Sequence, residues 1–217
     1  MSTDLFDDLP DPNPPQICLG EGAILLRGFA KEVDKVLLNA VDRIIVDAPF
    51  RHMITPGGYR MSVAMTNCGQ VGWITDHHGY RYNAADPETG RAWPLLPEVF
   101  IDIAKRAASC AGFENYLPDS CLINRYVPGT RLSLHQDKNE RDSTAPIVSV
   151  SLGLPAVFLF GGAKRANHPR RYRLEHGDVA VWGGPSRYAF HGITPMADGY
   201  HPILGSNRIN LTFRKAI

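Results

Sequence analysis

Arg131-Leu132-Ser133-Leu134-His135-Gln136-Asp137-Lys138 is the stretch on which both the fold and the chemistry turn. Residues 131–134 have the alternation of a strand. Side chains alternate faces along a strand, so His135 and Asp137, two residues apart, project to the same side. An imidazole nitrogen and a carboxylate oxygen converging on one point supply two of the three protein ligands of a facial Fe(II) site. Such a site leaves three positions open for a cosubstrate and oxygen. The third ligand has to be a distant His on another strand. His-x-Asp alone recurs by chance, so the support has to come from the rest of the chain.

Around this stretch the pattern is all β. Short apolar or alternating runs at 121–127, 131–134, 147–152, 157–160, 171–175, 179–182, 189–191 and 208–213 are separated by turn residues such as Pro128-Gly129, Gly161-Gly162 and Gly183-Gly184-Pro185. Eight short strands at this spacing predict a jelly roll or barrel with room for a small ligand between its sheets. Upstream, 24–26 reads as a short strand. Val33, Val36, Leu37, Ala40, Val41, Ile44 and Ile45 recur at helical spacing within 29–46, and a second helix spans 97–111 with Gly112 at its C-terminal end. The fold class is therefore mainly β with flanking helices.

Composition bounds the partners. The chain has 217 residues, 44% hydrophobic and 21% charged, enough for one full domain. A net charge of +1 advertises no global affinity for nucleic acid, so any such surface is local. Cys18, Cys68, Cys110 and Cys121 form no CxxC pair and read as reduced thiols of a cytoplasmic protein. Residues 1–15 are acidic and Pro-rich and lack the features of a signal peptide. The most apolar run, 145–160, is broken by Pro146, Gly153 and Pro155 and predicts buried strands, not a membrane span. The expected organisation is a single catalytic domain: a flexible tail over 1–16, an N-terminal strand and supporting helix over 17–48, an aromatic-rich segment over 49–94, and the main β core over 95–217.

The 49–94 segment is dense in aromatic and His residues, including Phe50, Tyr59, Trp73, His77, His78, Tyr80, Tyr82 and Trp93, with few aliphatic ones. It cannot build a core of its own. Its aromatics either stack on a planar ligand such as a base or cover one end of the core.

His191, 54 residues after Asp137, ends a short predicted strand and precedes Gly192, so its ring can face a cavity. Arg208, Asn210 and Arg214 lie at even spacing and share one face of the last strand. Inward-facing guanidiniums need anionic partners, and a dicarboxylate would provide two; the alternative is an exposed edge strand with solvated charges. Asn124 and Tyr126, two apart, offer further donors from another strand.

The motifs Thr55-Pro56-Gly57-Gly58-Tyr59, residues 61–69 (MSVAMTNCG), Cys121-Leu122-Ile123-Asn124-Arg125-Tyr126, residues 132–138 (LSLHQDK), residues 146–155 (PIVSVSLGLP), Leu174-Glu175-His176-Gly177-Asp178-Val179 and Asn210-Leu211-Thr212-Phe213-Arg214 together resemble the AlkB family of DNA-repair dioxygenases, from about residue 23 to 214. The resemblance implies a double-stranded β-helix (jelly roll) that uses Fe(II), 2-oxoglutarate and O2. His135, Asp137 and His191 resemble the iron ligands, and Asn124, Tyr126, Arg208, Asn210 and Arg214 the 2-oxoglutarate contacts. Trp73 and Tyr80, with Met65, resemble the nucleotide-recognition lid that holds the damaged base, which assigns 49–94 to that lid, and Arg165 matches a substrate-side arginine. Arg165 belongs to a local basic run, Lys164-Arg165 and Arg170-Arg171-x-Arg173, suited to phosphates. Asn139 departs from the family, which has an acidic residue two places after the iron-binding Asp. His52, His77, His78, His168, His176 and His201 match no ligand position.

The activity implied is oxidative demethylation of 1-methyladenine and 3-methylcytosine in DNA, with RNA a further substrate class, releasing formaldehyde, succinate and CO2. A stacked base is out of reach, so single-stranded or flipped nucleotides are expected. The expected protein is a monomer without membrane contact. Two rivals remain: a protein or metabolite hydroxylase on the same scaffold, opposed by the aromatic segment and basic run, and a non-enzymatic binding module, opposed by the set of two His, one Asp and two Arg.

Overall fold

The computed structural model describes residues 15–217; residues 1–14, most of the expected tail, lie outside the described residues. Two antiparallel sheets face each other. The larger has seven strands in the order β1 (Gln16–Gly20), β2 (Ala23–Leu26), β11 (Val179–Trp182), β8 (Ile147–Gly153), β13 (Arg208–Arg214), β6 (Ser120–Tyr126) and β3 (Ala64–Gly69). The smaller has the order β10 (Arg170–Leu174), β9 (Ala156–Phe160), β12 (His191–Ile193) and β7 (Leu132–His135). From β6 to β13 the chain supplies four strands to each sheet, which is the expected jelly roll. Helices α1 (Asp34–Asp47) and α2 (Glu98–Cys110) cover the outer face of the larger sheet through Leu37, Val41, Phe100, Ile103 and Ala107. Gly112, at φ 82°, supplies the left-handed residue just past α2.

Strand alternation divides the larger sheet into two chemistries. Val148, Val150 and Leu152 of β8 and Ile209, Leu211 and Phe213 of β13 pack under the helices. The opposite positions, Ser149 and Ser151 of β8 and Arg208, Asn210, Thr212 and Arg214 of β13, face the interior of the roll and are also buried. Apolar Leu122, Tyr126, Phe158, Phe160, Ala180 and Trp182 complete that interior.

One strand differs from its expected place. The run 189–191 is irregular, with Ala189 N–H donating to Ser186 O, and the strand begins at His191 and runs through Gly192. A Cβ at Gly192 would lie 2.6 Å from Leu132 O. The glycine therefore does not end the strand; it admits the close approach of β7. Within 49–94, β3 is fully buried and joins the larger sheet, whereas β4 (Gly72–Asp76) and β5 (Gly79–Asn83) form a separate hairpin.

Candidate active site

Pairing of β12 with β7 sets His191 directly opposite His135. Asp137 follows two residues past His135, just beyond the strand end. His135 Nε2 lies 3.9 Å from Asp137 Oδ1, and His191 Nε2 lies 3.8 Å from Asp137 Oδ2. The three ligand atoms fall within 4.8 Å of one another. Each imidazole bonds a backbone carbonyl through Nδ1: His135 to Ser133 O at 2.8 Å, His191 to Ala189 O at 3.0 Å. These bonds leave both Nε2 lone pairs directed at the shared point, the arrangement a metal-binding imidazole requires.

Electrostatics keep Asp137 and His191 in their metal-binding forms. Burial disfavours the Asp137 carboxylate, but Arg214 and then the two imidazoles outweigh it and hold the group well below the usual carboxylate range. Burial, assisted by His135 and opposed by Asp137, pushes His191 down to about 4. At neutral pH the carboxylate is ionised and the His191 imidazole neutral, so neither of these two groups has to lose a proton for a cation to bind.

The polar wall behind the triad fits a dicarboxylate. Arg208, 1% exposed, donates from Nη2 to Ser151 Oγ at 2.9 Å and lies 5.0 Å over the Tyr126 ring. Arg214 holds Asp137 Oδ2 through Nη2 at 2.9 Å and Nε at 3.1 Å. Among the described residues, Arg208 Nε, Arg208 Nη1, Arg214 Nη1 and Asn124 Oδ1 are buried without a partner. Unpaired buried guanidinium N–H groups are costly, and a bound carboxylate satisfies them. Asn210 is occupied within the sheet. Its amide nitrogen donates to Ser149 Oγ and Val150 O, and its oxygen accepts from Asn124 and Thr212. It therefore braces Asn124.

One cavity of about 860 Å³ joins these groups to the surface. Its lining brings together every expected site residue: the triad, Asn124, Tyr126, Arg208, Asn210, Arg214, Met65, Trp73, Tyr80, Asn139 and Arg165. On the β4–β5 hairpin, Trp73 pairs across from Tyr82 and Thr75 from Tyr80, so Trp73 and Tyr80 share a face and stack at 5.7 Å. Both residues line the cavity, which favours the ligand-stacking alternative over a core cover. Met65 is not on the hairpin with them: it is 1% exposed on β3 of the larger sheet and lines the cavity from there. Arg165 donates to Leu134 O at 3.0 Å and lies 5.7 Å over Phe190. Asn139 faces the cavity, whereas Asp142 binds Thr144 and Glu140 turns away from the lining.

Sequence reading missed the residues that hold this geometry. Arg187, 3% exposed, reaches the loop that carries Asp137, and Tyr82 donates to Glu140 Oε1 at 2.6 Å. A single Arg in a Gly-Pro turn carries no local signal, because its partners lie more than forty residues away. The unassigned histidines that the structure pairs have structural partners; His176, for example, bonds Asp34 at 2.8 Å and accepts Gly153 N–H.

A double-stranded β-helix with a His-x-Asp…His triad and two buried arginines behind it defines a non-haem iron oxygenase that uses 2-oxoglutarate, and residues 22–214 match the model of the 2OG-Fe(II) oxygenase superfamily. The chain is 53% identical over 212 residues, 98% of each chain, to the alpha-ketoglutarate-dependent dioxygenase AlkB of Escherichia coli (strain K12). It belongs to the AlkB family. A more distant relative, the DNA N(6)-methyladenine demethylase ALKBH1C of Arabidopsis thaliana, is 34% identical over 161 residues, 62% of this chain and 35% of that protein. The solved structure of OsALKBH1 superposes with a TM-score of 0.81 at 30% identity, covering 93% of this chain and all of the other. The protein is a 2-oxoglutarate- and Fe(II)-dependent dioxygenase.

Proposed function

We propose that this dioxygenase repairs DNA by demethylating 1-methyladenine and 3-methylcytosine, taken from single strands or flipped out of a duplex, and that it works as a cytoplasmic monomer. The observation that carries the reading is the single cavity that runs from the triad to the stacked Trp73–Tyr80 pair. A planar base entering it meets an aromatic face on one side and the metal ligands on the other. Iron with 2-oxoglutarate and oxygen supplies the oxidising power that hydroxylates an N-methyl group, which then leaves as formaldehyde while the keto acid ends as succinate and CO2. In this reading His135, Asp137 and His191 hold the iron. Arg208 and Arg214, with Asn124 and Tyr126 beside them, hold the dicarboxylate. Trp73 and Tyr80 stack on the base, and Asn139 offers an amide oxygen to its exocyclic amine. Arg165 and the basic run that follows it meet the flanking phosphates. The β4–β5 hairpin and adjoining loops of 49–94 act as the lid.

Flipping is cheapest where pairing is already lost, which favours single strands. No described helix is long and apolar enough to cross a membrane. The test loads the enzyme with Fe(II) anaerobically, admits oxygen, and measures succinate and formaldehyde with methylated single-stranded DNA, duplex DNA, RNA, a peptide extract or no substrate. Formaldehyde in step with succinate, fastest on single-stranded DNA, supports the reading. Equal coupling to the peptide extract overturns it in favour of a protein hydroxylase.

A further inference from the structure

Asp137 and Asn139 sit on a loop without regular secondary structure, between the end of β7 at His135 and the start of β8 at Ile147. The third expected metal ligand, His191, follows the irregular connection between β11 and β12. Strand pairing fixes His191 opposite His135 but stops two residues short of Asp137, leaving the loop beyond it and the connection before His191 to be joined by other contacts. Two side chains bridge them. Gln136 Nε2 donates to Tyr188 O at 2.6 Å. Arg187 crosses in the opposite direction with all three nitrogens engaged: Nη1 to Asp137 O at 2.7 Å, Nε to Ala145 O at 3.0 Å, and Nη2 to Glu140 Oε2 at 3.0 Å. The Arg187 and Glu140 side chains are 3% and 2% exposed. The second oxygen of Glu140 accepts the Tyr82 hydroxyl.

We propose that Arg187 is a positioning residue for the metal site, pinning the start, middle and end of the Asp137–Ala145 loop to the connection that leads to His191, with Glu140 as its anchor. The geometry calls for Arg in particular. Three acceptors are arranged around one guanidinium plane, and a planar fork satisfies all of them, whereas an ammonium is a point donor on a flexible stem. Arg187 lies outside the cavity lining, so its effect on the iron and on the base passes through Asp137 and Asn139. The inference rests on the reading of His135, Asp137 and His191 as ligands, and the experiment separates the two.

The test is a spectroscopic titration with Co(II) alone, without turnover. Wild type should bind one Co(II), and His135→Ala should lose that site; if His135→Ala binds as wild type does, the ligand reading fails. Arg187→Lys should retain the fold by circular dichroism and bind Co(II) about 10–100-fold more weakly, the usual effect of losing a group that orients a metal ligand. Its activity should recover at raised iron concentration with the metal-free protein already folded, so that the recovery is one of metal occupancy and not of folding. Glu140→Gln, which keeps the shape but removes the anchoring charge, should give a smaller loss in the same direction and serves if Arg187→Lys does not fold. Tyr82→Phe removes only the outer bond and should leave Co(II) affinity within about twofold of wild type. Wild-type Co(II) affinity in folded Arg187→Lys, or in folded Glu140→Gln where Arg187→Lys does not fold, overturns the proposal.

Discussion

The two faces of the larger sheet are built from the same strands and carry different burdens. On β13, Ile209, Leu211 and Phe213 face the helices while Arg208, Asn210, Thr212 and Arg214 face the roll. Both sets are buried. The helix face is apolar and gains its free energy from area removed from water and close packing. The roll face buries two guanidiniums with several N–H groups unpartnered among the described residues, an arrangement that lowers stability until an anion arrives. The contrast teaches that burial alone does not mark core. A buried face with unmet hydrogen-bonding demand is a binding site, and the apolar face behind it offsets the cost.

The comparison breaks most sharply at the metal ligands. His135→Ala should reduce demethylation to background. Its side chain is 35% exposed, so the melting temperature should stay within about 2 °C of wild type, the equivalent of ~0.5 kcal/mol for a chain of this size. Retained demethylation in the purified variant would remove His135 from the triad.

Arg214→Ala comes next. It removes the partner of Asp137 along with a candidate cosubstrate contact. Losing one member of a desolvated charged pair costs on the order of 2–5 kcal/mol, so 2-oxoglutarate affinity measured by calorimetry should fall about thirtyfold or more. Unchanged affinity would assign Arg214 to the triad alone.

Leu211→Ala is the mirror experiment on the other face. Chemical denaturation should show a loss of about 2–5 kcal/mol, as for other buried Leu truncations, with 2-oxoglutarate affinity of the folded protein unchanged. A selective loss of cosubstrate binding would erase the distinction between the faces.

Trp73→Ala moves the test to the hairpin. Methylated-oligonucleotide binding should weaken by roughly 1–3 kcal/mol, the worth of one base–aromatic stack, while slow succinate formation without DNA persists. Loss of that uncoupled reaction would make Trp73 part of the fold instead.

The smallest effect is expected at Asn139. Methylation at N1 of adenine or N3 of cytosine makes the base cationic, and an amide oxygen bonds the exocyclic amine without attracting that charge. Charge-assisted bonds are about twice as strong as neutral ones, and a neutral bond is worth about 1 kcal/mol. Asn139→Asp should therefore raise the specificity constant on 3-methylcytosine relative to 3-methylthymine by roughly fivefold. An unchanged ratio, measured side by side on the two proteins, sinks the idea. The cavity position of Asn139 and the engagement of Glu140 with Tyr82 and Arg187 remove the neighbouring carboxylate as a substitute.

Much of this site is legible in the sequence because local rules carry it. Period-two alternation sets Arg208, Asn210 and Arg214 on one face of a single strand. It anticipates that His135 and Asp137 converge, although β7 ends at His135 and the loop that carries Asp137 is fixed by the distant Arg214 and Arg187. The same rule separates Val148, Val150 and Leu152 from Ser149 and Ser151. What alternation cannot supply is the pairing between distant strands. That His191 stands opposite His135, that the strand runs through Gly192 and does not stop there, and that β3 joins the larger sheet all depend on register, which is set by contacts across the fold. The same holds for side chains on loops. Asn139 and Glu140 are adjacent and both polar, yet one faces the cavity and the other is drawn inward by Arg187 and Tyr82, partners 47 and 58 residues away. Residue type and spacing determined which groups could do the chemistry; the tertiary structure decided which of them meet, because a buried charge goes where its distant partners are.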